Sequence, residues 1–111
     1  MKKEFFNLEK GITELYTEKW IWEKTAVKDL KNLNVKHHYW IDPDGEWWVD
    51  FDNPSENLHA DFYAYREKKH YLQPDELKQL QFDLNMNIQE FADYLKMDVA
   101  KLKQIENNQR V

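Results

Sequence analysis

The chain has 111 residues, 15% of them aromatic, and 21 acids against 16 Lys and Arg give a net charge of −5. That length suits one domain, or one small domain with an appendage, and five Trp, six Tyr and six Phe supply large core pieces. The absence of cysteine excludes a disulfide framework, a thiol nucleophile and a cysteine zinc site, and it suits a reducing cytoplasm. Met1–Glu4 leads into no apolar run, so no secretory leader is expected. No window approaches the roughly 18 apolar residues of a membrane span. The acidic balance argues against a generally basic nucleic-acid coat, but a local DNA-reading face remains compatible with it.

Residues 7–33 carry mixed signals. Asn7 suits the cap of a helix bearing Leu8, Ile12, Leu15 and Tyr16, a helix that Gly11 would weaken by about 1 kcal/mol relative to Ala. Trp20, Ile21 and Trp22 break that period and suit the start of a strand. Ala26, Leu30 and Leu33 then fit a short helix. The next unit is a β-hairpin over about 36–52. Tyr39-Trp40-Ile41 and Trp47-Trp48-Val49 flank Asp42-Pro43-Asp44-Gly45, where Pro43 presets a turn and Gly45 supplies a left-handed position.

From Asn53 the pattern is helical. Asn53-Pro54-Ser55-Glu56 reads as a helix start, followed by a stripe of Leu58, Phe62 and Tyr65 up to Arg66 or Lys69. Pro74-Asp75-Glu76 opens a second helix with Leu77, Leu80, Phe82 and Leu84. Helices over 88–96 and 99–107 complete the set. Asn87 with Glu90 makes a capping box, and Asp98 caps the last helix. The expected fold class is α+β, with a helix and β-hairpin part over 1–53 and a helical part over 54–111, as two parts or as one integrated domain.

Residues 87–107 have the spacing of a helix-turn-helix. Phe91, Leu95, Met97, Leu102 and Ile105 are the apolar positions, and the small Ala92 lets two helices cross closely. Residues 72–110, with the segments LQPDELKQL, QEFADYL and KLKQIENNQR, resemble the start of a Cro/XRE-type repressor domain. Upstream, DFYAYREKKHYLQPDELK resembles the lead-in of MqsA-type antitoxins. The resemblance covers about 50 residues from near Asn57. It implies a small, dimeric DNA-binding regulator of antitoxin or phage-repressor type, with its recognition helix in the major groove.

The family usually has Arg or Lys at Gln81, Ser-Gln at Asn87-Ile88, Gly at Lys96 and a polar residue at Val99. Ile88 and Val99 offer no side-chain hydrogen bond. The family's two further helices do not follow, so the N-terminal part or a second subunit is expected to cover the apolar face. The expected DNA-binding residues are Lys96, Lys101, Lys103, Gln104, Asn107 and Arg110. Among these Lys101, Lys103 and Gln104 would read base edges.

A second segment competes with this one. Between Lys36 and Arg66 there are 29 residues without Lys or Arg, and they hold seven acids and eight aromatics. Strand alternation cannot bury both Trp47 and Trp48 on one face. Trp47, Trp48, Asp44, Glu46 and Asp50 are therefore candidates for binding a basic protein partner, such as a toxin or a nuclease. That gives the alternative function of an interaction or inhibitor module, for example a phage-encoded inhibitor of a host defence nuclease, which keeps the helical scaffold without reading DNA.

No metal, cofactor or catalytic residue is expected. His37 and His38 would face opposite sides of a strand, and Asp50-Phe51-Asp52-Asn53 lacks the glycine and distal glutamate of a calcium loop. The zinc-ligand cysteines of many MqsA-type N-terminal domains are missing. Ser55, the sole serine, belongs to a helix start.

Overall fold

The structure, a computed structural model, describes all of residues 1–111. It is α+β, with four antiparallel strands in the order β1-β2-β3-β4 followed by four helices. The strands are β1 (Lys2–Asn7), β2 (Ile12–Val27), β3 (Leu30–Ile41) and β4 (Trp47–Trp48). The helices are α1 (Glu56–Lys69), α2 (Pro74–Asp83), α3 (Ile88–Tyr94) and α4 (Val99–Glu106). The chain divides into two compact units, 1–61 and 62–111. No helix is long and apolar enough to cross a membrane.

Both helices expected within residues 7–33 are strands. Asn7 does cap, but it caps a turn. Its side-chain oxygen accepts the N–H groups of Glu9 and Lys10 at 3.0 and 3.1 Å, the geometry that a helix N-cap would offer. Gly11 then takes φ +71°, which turns the chain back into β2 instead of on into a helix. The Ala26, Leu30 and Leu33 spacing matches a helix by coincidence. Lys28 takes φ 50° in the turn between β2 and β3, and a register shift between Thr25 and Val27 sets that turn. Alternation, not a 3.6 period, organises this stretch. Pairing Trp40 with Trp48 and Ile41 with Trp47 closes the expected hairpin, with a longer first strand and a much shorter second one than 36–52 implies.

One face of the 1–61 sheet has an aromatic core. Phe5, Tyr16 and Trp40 are buried, with Trp48 and Phe51 packed against them. The rings meet edge-on or tilted: Phe5–Trp40 and Phe5–Phe51 at 4.9 Å, Tyr16–Phe51 at 5.1 Å. Such pairs contribute roughly 0.5–1.5 kcal/mol each beyond their buried area. Asn7 is buried beneath them and donates to the Tyr16 hydroxyl at 3.1 Å.

In residues 62–111 the core is Leu77, Phe91, Ala92 and Leu102, with Leu80, Met86, Ile88, Leu95, Met97, Val99 and Ile105 packed around it. The expected stripe on α1 is only partly inward, since Leu58 is exposed while Tyr65 is buried. On α2 Leu77 is buried and Phe82 is exposed, as is Leu84 just after the helix.

Each helix ends on a residue in the left-handed region that is not glycine: His70, Asn85, Lys96 and Asn108, at φ between 52° and 60°. Behind α3, for example, Met97 N–H bonds Ala92 O at 2.9 Å and Lys96 N–H bonds Asp93 O at 3.1 Å. These bonds satisfy carbonyls that the helix end would otherwise leave open. Lys96 holds this conformation against the clash of its own Cβ, so Lys96→Gly is expected to raise stability by about 1 kcal/mol. Urea unfolding followed by helical circular dichroism checks this, and a loss of stability would contradict it.

Candidate functional site

The α3–α4 segment assembles from its caps inward. Asn87 accepts Glu90 N–H at 2.8 Å and Glu90 accepts Asn87 N–H at 3.1 Å, which completes the capping box. Asp98 accepts Ala100 N–H at 2.8 Å and so fixes the start of α4. Val99, Leu102 and Ile105, three residues apart, face the core. Helical spacing therefore turns Ala100, Lys101, Lys103, Gln104 and Asn107 outward, and all five are exposed. Lys96, Lys101 and Lys103 make no ion pair. Arg110 is half-buried and donates to Gln104 Oε1 at 3.2 Å, so these two side chains occupy each other. Ile88 and Val99, apolar where the resembled family is polar, are explained by packing, because both lie against the core cluster.

Balanced charge surrounds this surface. Residues 62–111 contain eight bases and eight acids, whereas residues 1–61 contain eight bases and thirteen acids. The acid excess of the chain thus lies wholly in the sheet-bearing unit.

Much of the acidic aromatic segment turns inward. Asp42 is buried and accepts Asp44 and Glu46 N–H at 2.9 Å, Trp48 Nε1 at 3.1 Å and Lys10 Nζ at 3.1 Å. Burial works to raise its pKa, but these donors overcome it and bring the group down to about 2. Lys10 also meets Glu14 at 2.5 Å, and that pairing foremost raises its pKa. Asp50 takes Trp40 Nε1 at 2.9 Å and the N–H groups of Asp52 and Asn53. Trp47 and Trp48 lie on opposite faces. Trp48 joins the aromatic core, while Trp47 stays 45% exposed with its ring 5.3 Å from Tyr39. Asp44 and Glu46 remain exposed beside them.

Sequence reasoning missed a pair of histidine clasps. His37 and His38 are buried on opposite faces of β3, and each is gripped at both ring nitrogens by carboxylates from β2 and α1. His37 Nδ1 meets Glu23 at 2.9 Å and Nε2 meets Asp61 at 2.5 Å. His38 Nε2 meets Glu18 at 2.7 Å and Nδ1 meets Glu56 at 2.7 Å. Burial works to lower both pKa values, yet the paired carboxylates prevail and hold both histidines above the ordinary value. Tyr39 donates to Glu23 at 2.6 Å. This bond first, then His37, lowers the Glu23 pKa, while burial and Glu23 push Tyr39 up to about 12.

His38 Nδ1, an Asp50 oxygen and a Glu56 oxygen also lie within 4.8 Å of one another, a spacing that a cation can bridge. The clasp accounts for both histidines with one chemistry, whereas a cation would account only for His38. No family model, curated protein or solved structure matches the chain.

Proposed function

We propose that residues 88–106 form a helix-turn-helix that docks on duplex DNA, and that the chain is a small cytoplasmic transcriptional regulator of the antitoxin or phage-repressor type, working as a dimer and without catalytic activity. The observation that carries this reading is the outward face of α4. Lys101 and Lys103 are exposed without an acidic partner on a helix whose other face is fixed by Leu102 and Ile105. Lys96 in the preceding turn adds a third free cation. Lysines at these positions meet phosphates, and Lys103 and Gln104 can address base edges once Gln104 releases Arg110.

Affinity for a fragment of the protein's own promoter should fall steeply between roughly 50 and 200 mM salt. Combining Lys101→Ala with Lys103→Ala should reduce the salt slope by about two, roughly one for each phosphate no longer neutralised. Fluorescence anisotropy measures both. No binding at low salt, or an unchanged slope in the double variant, would remove the reading's support.

A second reading keeps one specific observation. Trp47, beside exposed Asp44 and Glu46, presents an aromatic anchor with a negative rim to a basic protein partner. It predicts a complex weakened by Trp47→Ala and indifferent to Lys103→Ala. Asp50 leaves that candidate set, because its oxygens are engaged by Trp40, Asp52 and Asn53.

A further inference from the structure

The two long strands treat their outer edges differently. On β3, the Asn57 side chain stands in for a neighbouring strand: its Oδ1 accepts His38 N–H at 2.8 Å and its Nδ2 donates to His38 O at 3.0 Å. On β2, β1 covers the edge only as far as Thr17, with Glu18 N–H reaching Met1 O at 2.8 Å. Beyond Glu18 no strand pairs with that side.

Two hydrogen-bond observations fix which backbone groups point outward. Glu18 faces β1, and alternation then turns Trp20, Trp22 and Lys24 the same way. His38, paired with Trp20, bonds away from β2 to Asn57, so Trp20 must likewise point away from β3. None of these three residues has a backbone partner on the open side. The same stretch carries the sheet's most exposed tryptophan, Trp22 at 69%, and Trp20 at 47%. A long uncovered edge with exposed aromatics is a template for strand addition.

We infer that a second copy of this chain pairs antiparallel along this edge of β2, with Trp22 on the two-fold axis. The sequence is complementary to itself in that register. The regular stretch runs from Lys19 to Thr25, because the register shift begins after Thr25, and Trp22 is its midpoint. A pairing centred nearer Lys19 brings more of the partner strand against Met1 and Lys2, and one centred nearer Thr25 leaves Trp20 without a regular mate. Centred on Trp22, every outward donor and acceptor of Trp20, Trp22 and Lys24 finds its mate.

On one face Trp22 meets Trp22, and each Lys24 lies opposite the other copy's Trp20. Trp20 already accepts an ammonium, with Lys36 Nζ at 5.8 Å from its ring. On the other face Ile21 lies opposite Glu23, and Lys19 lies diagonal to Glu23, so no like charges stand directly opposite. The pairing uses up the open edge and stops at two copies. It is independent of what α4 touches.

Sedimentation of the full chain at tens of micromolar should give a dimer. Lys24→Pro removes only an outward N–H, so the β2–β3 ladder survives while the dimer weakens. Trp22→Lys places two like charges on the axis without touching the core. Each variant should dissociate at concentrations at least roughly tenfold higher than the wild type. The wild-type far-ultraviolet spectrum should persist in both. In the dimer the amides of Trp20, Trp22 and Lys24 should exchange slowly, and faster on dilution. A monomeric wild type, or a dimer unaffected in two folded variants, overturns the inference.

Discussion

Replacing His38 by leucine should destabilise residues 1–61 by about 3–5 kcal/mol near pH 6, the loss expected when one member of a buried charged cluster is removed and its partners stay behind. Glu18 and Glu56 would then face an apolar side chain, with Asp50 Oδ2 only 3.7 Å from the vacated Nδ1 position. Urea unfolding followed by indole fluorescence measures the loss, and a loss under about 1 kcal/mol would overturn it.

The wild type should show the matching profile. Both histidine pKa values are raised by folding, so their contribution is fully present below the unfolded value of about 6.5 and is lost as pH rises through the folded values. Glu23 and Asp50 are lowered, so theirs is present above the unfolded carboxylate value and is lost as pH falls. Stability should therefore peak in the mildly acidic range. All five tryptophans lie in residues 1–61, so indole fluorescence during urea unfolding reports this unit alone. Stability that keeps rising through about pH 8 would contradict the clasps.

Arg66→Ala should cost residues 62–111 about 3–4 kcal/mol. Arg66 is 2% exposed in the last turn of α1, and its guanidinium organises chain segments far apart in sequence. It donates to Asn108 Oδ1 at 2.8 Å, to Arg110 O at 2.7 Å and to Gln73 Oε1 at 3.5 Å. Removing it leaves Asn108 and the Arg110 carbonyl without this donor and opens a cavity beside Phe62, whose ring lies 5.8 Å from the guanidinium. Burial lowers the Arg66 pKa, but the group remains charged at any working pH. Lysine cannot reproduce the forked donation, so Arg66→Lys should recover less than half of the loss. Circular dichroism at the helix band should show the early transition while tryptophan fluorescence keeps its midpoint. Coincident shifts in both signals, or a loss under about 1 kcal/mol, would show that Arg66 is not the anchor described.

The helical half of the chain was legible because its signals are local. Pro74-Asp75-Glu76, Asn87 with Glu90, and Asp98 each mark a helix start within a few residues. Core positions Leu77, Phe91, Ala92 and Leu102 follow from the 3.6-residue period. Residues 7–33 were not legible for a physical reason. A side-chain oxygen that accepts the next N–H groups caps a helix or closes a turn equally well, so Asn7 carried no information about which would follow. What followed was decided by pairing. Tyr16 lies opposite Lys3 across one edge of β2, and the segment from Thr17 onward lies opposite β3.

The candidate sites divide in the same way. Lys101, Lys103 and Gln104 are exposed on α4, because helical spacing alone turns them away from Leu102 and Ile105. The acidic segment could not be apportioned between surface and interior from sequence. Asp42, Asp50, Glu56 and Asp61 find donors in Lys10, Trp40, His38 and His37, at sequence separations from 10 to 32.

By itself, the sequence determined where helices begin, which of their residues face inward, and that Trp47 and Trp48 must part company across a strand. Those are consequences of backbone period and capping chemistry, which act over a few residues. Only the tertiary structure decided that two adjacent histidines are each held between carboxylates, that Arg66 lies inside, and that β3 is capped at its edge while β2 is left open. Each of these depends on which distant segment comes alongside, and a charged or aromatic side chain looks the same in a sequence whether water or another chain segment satisfies it.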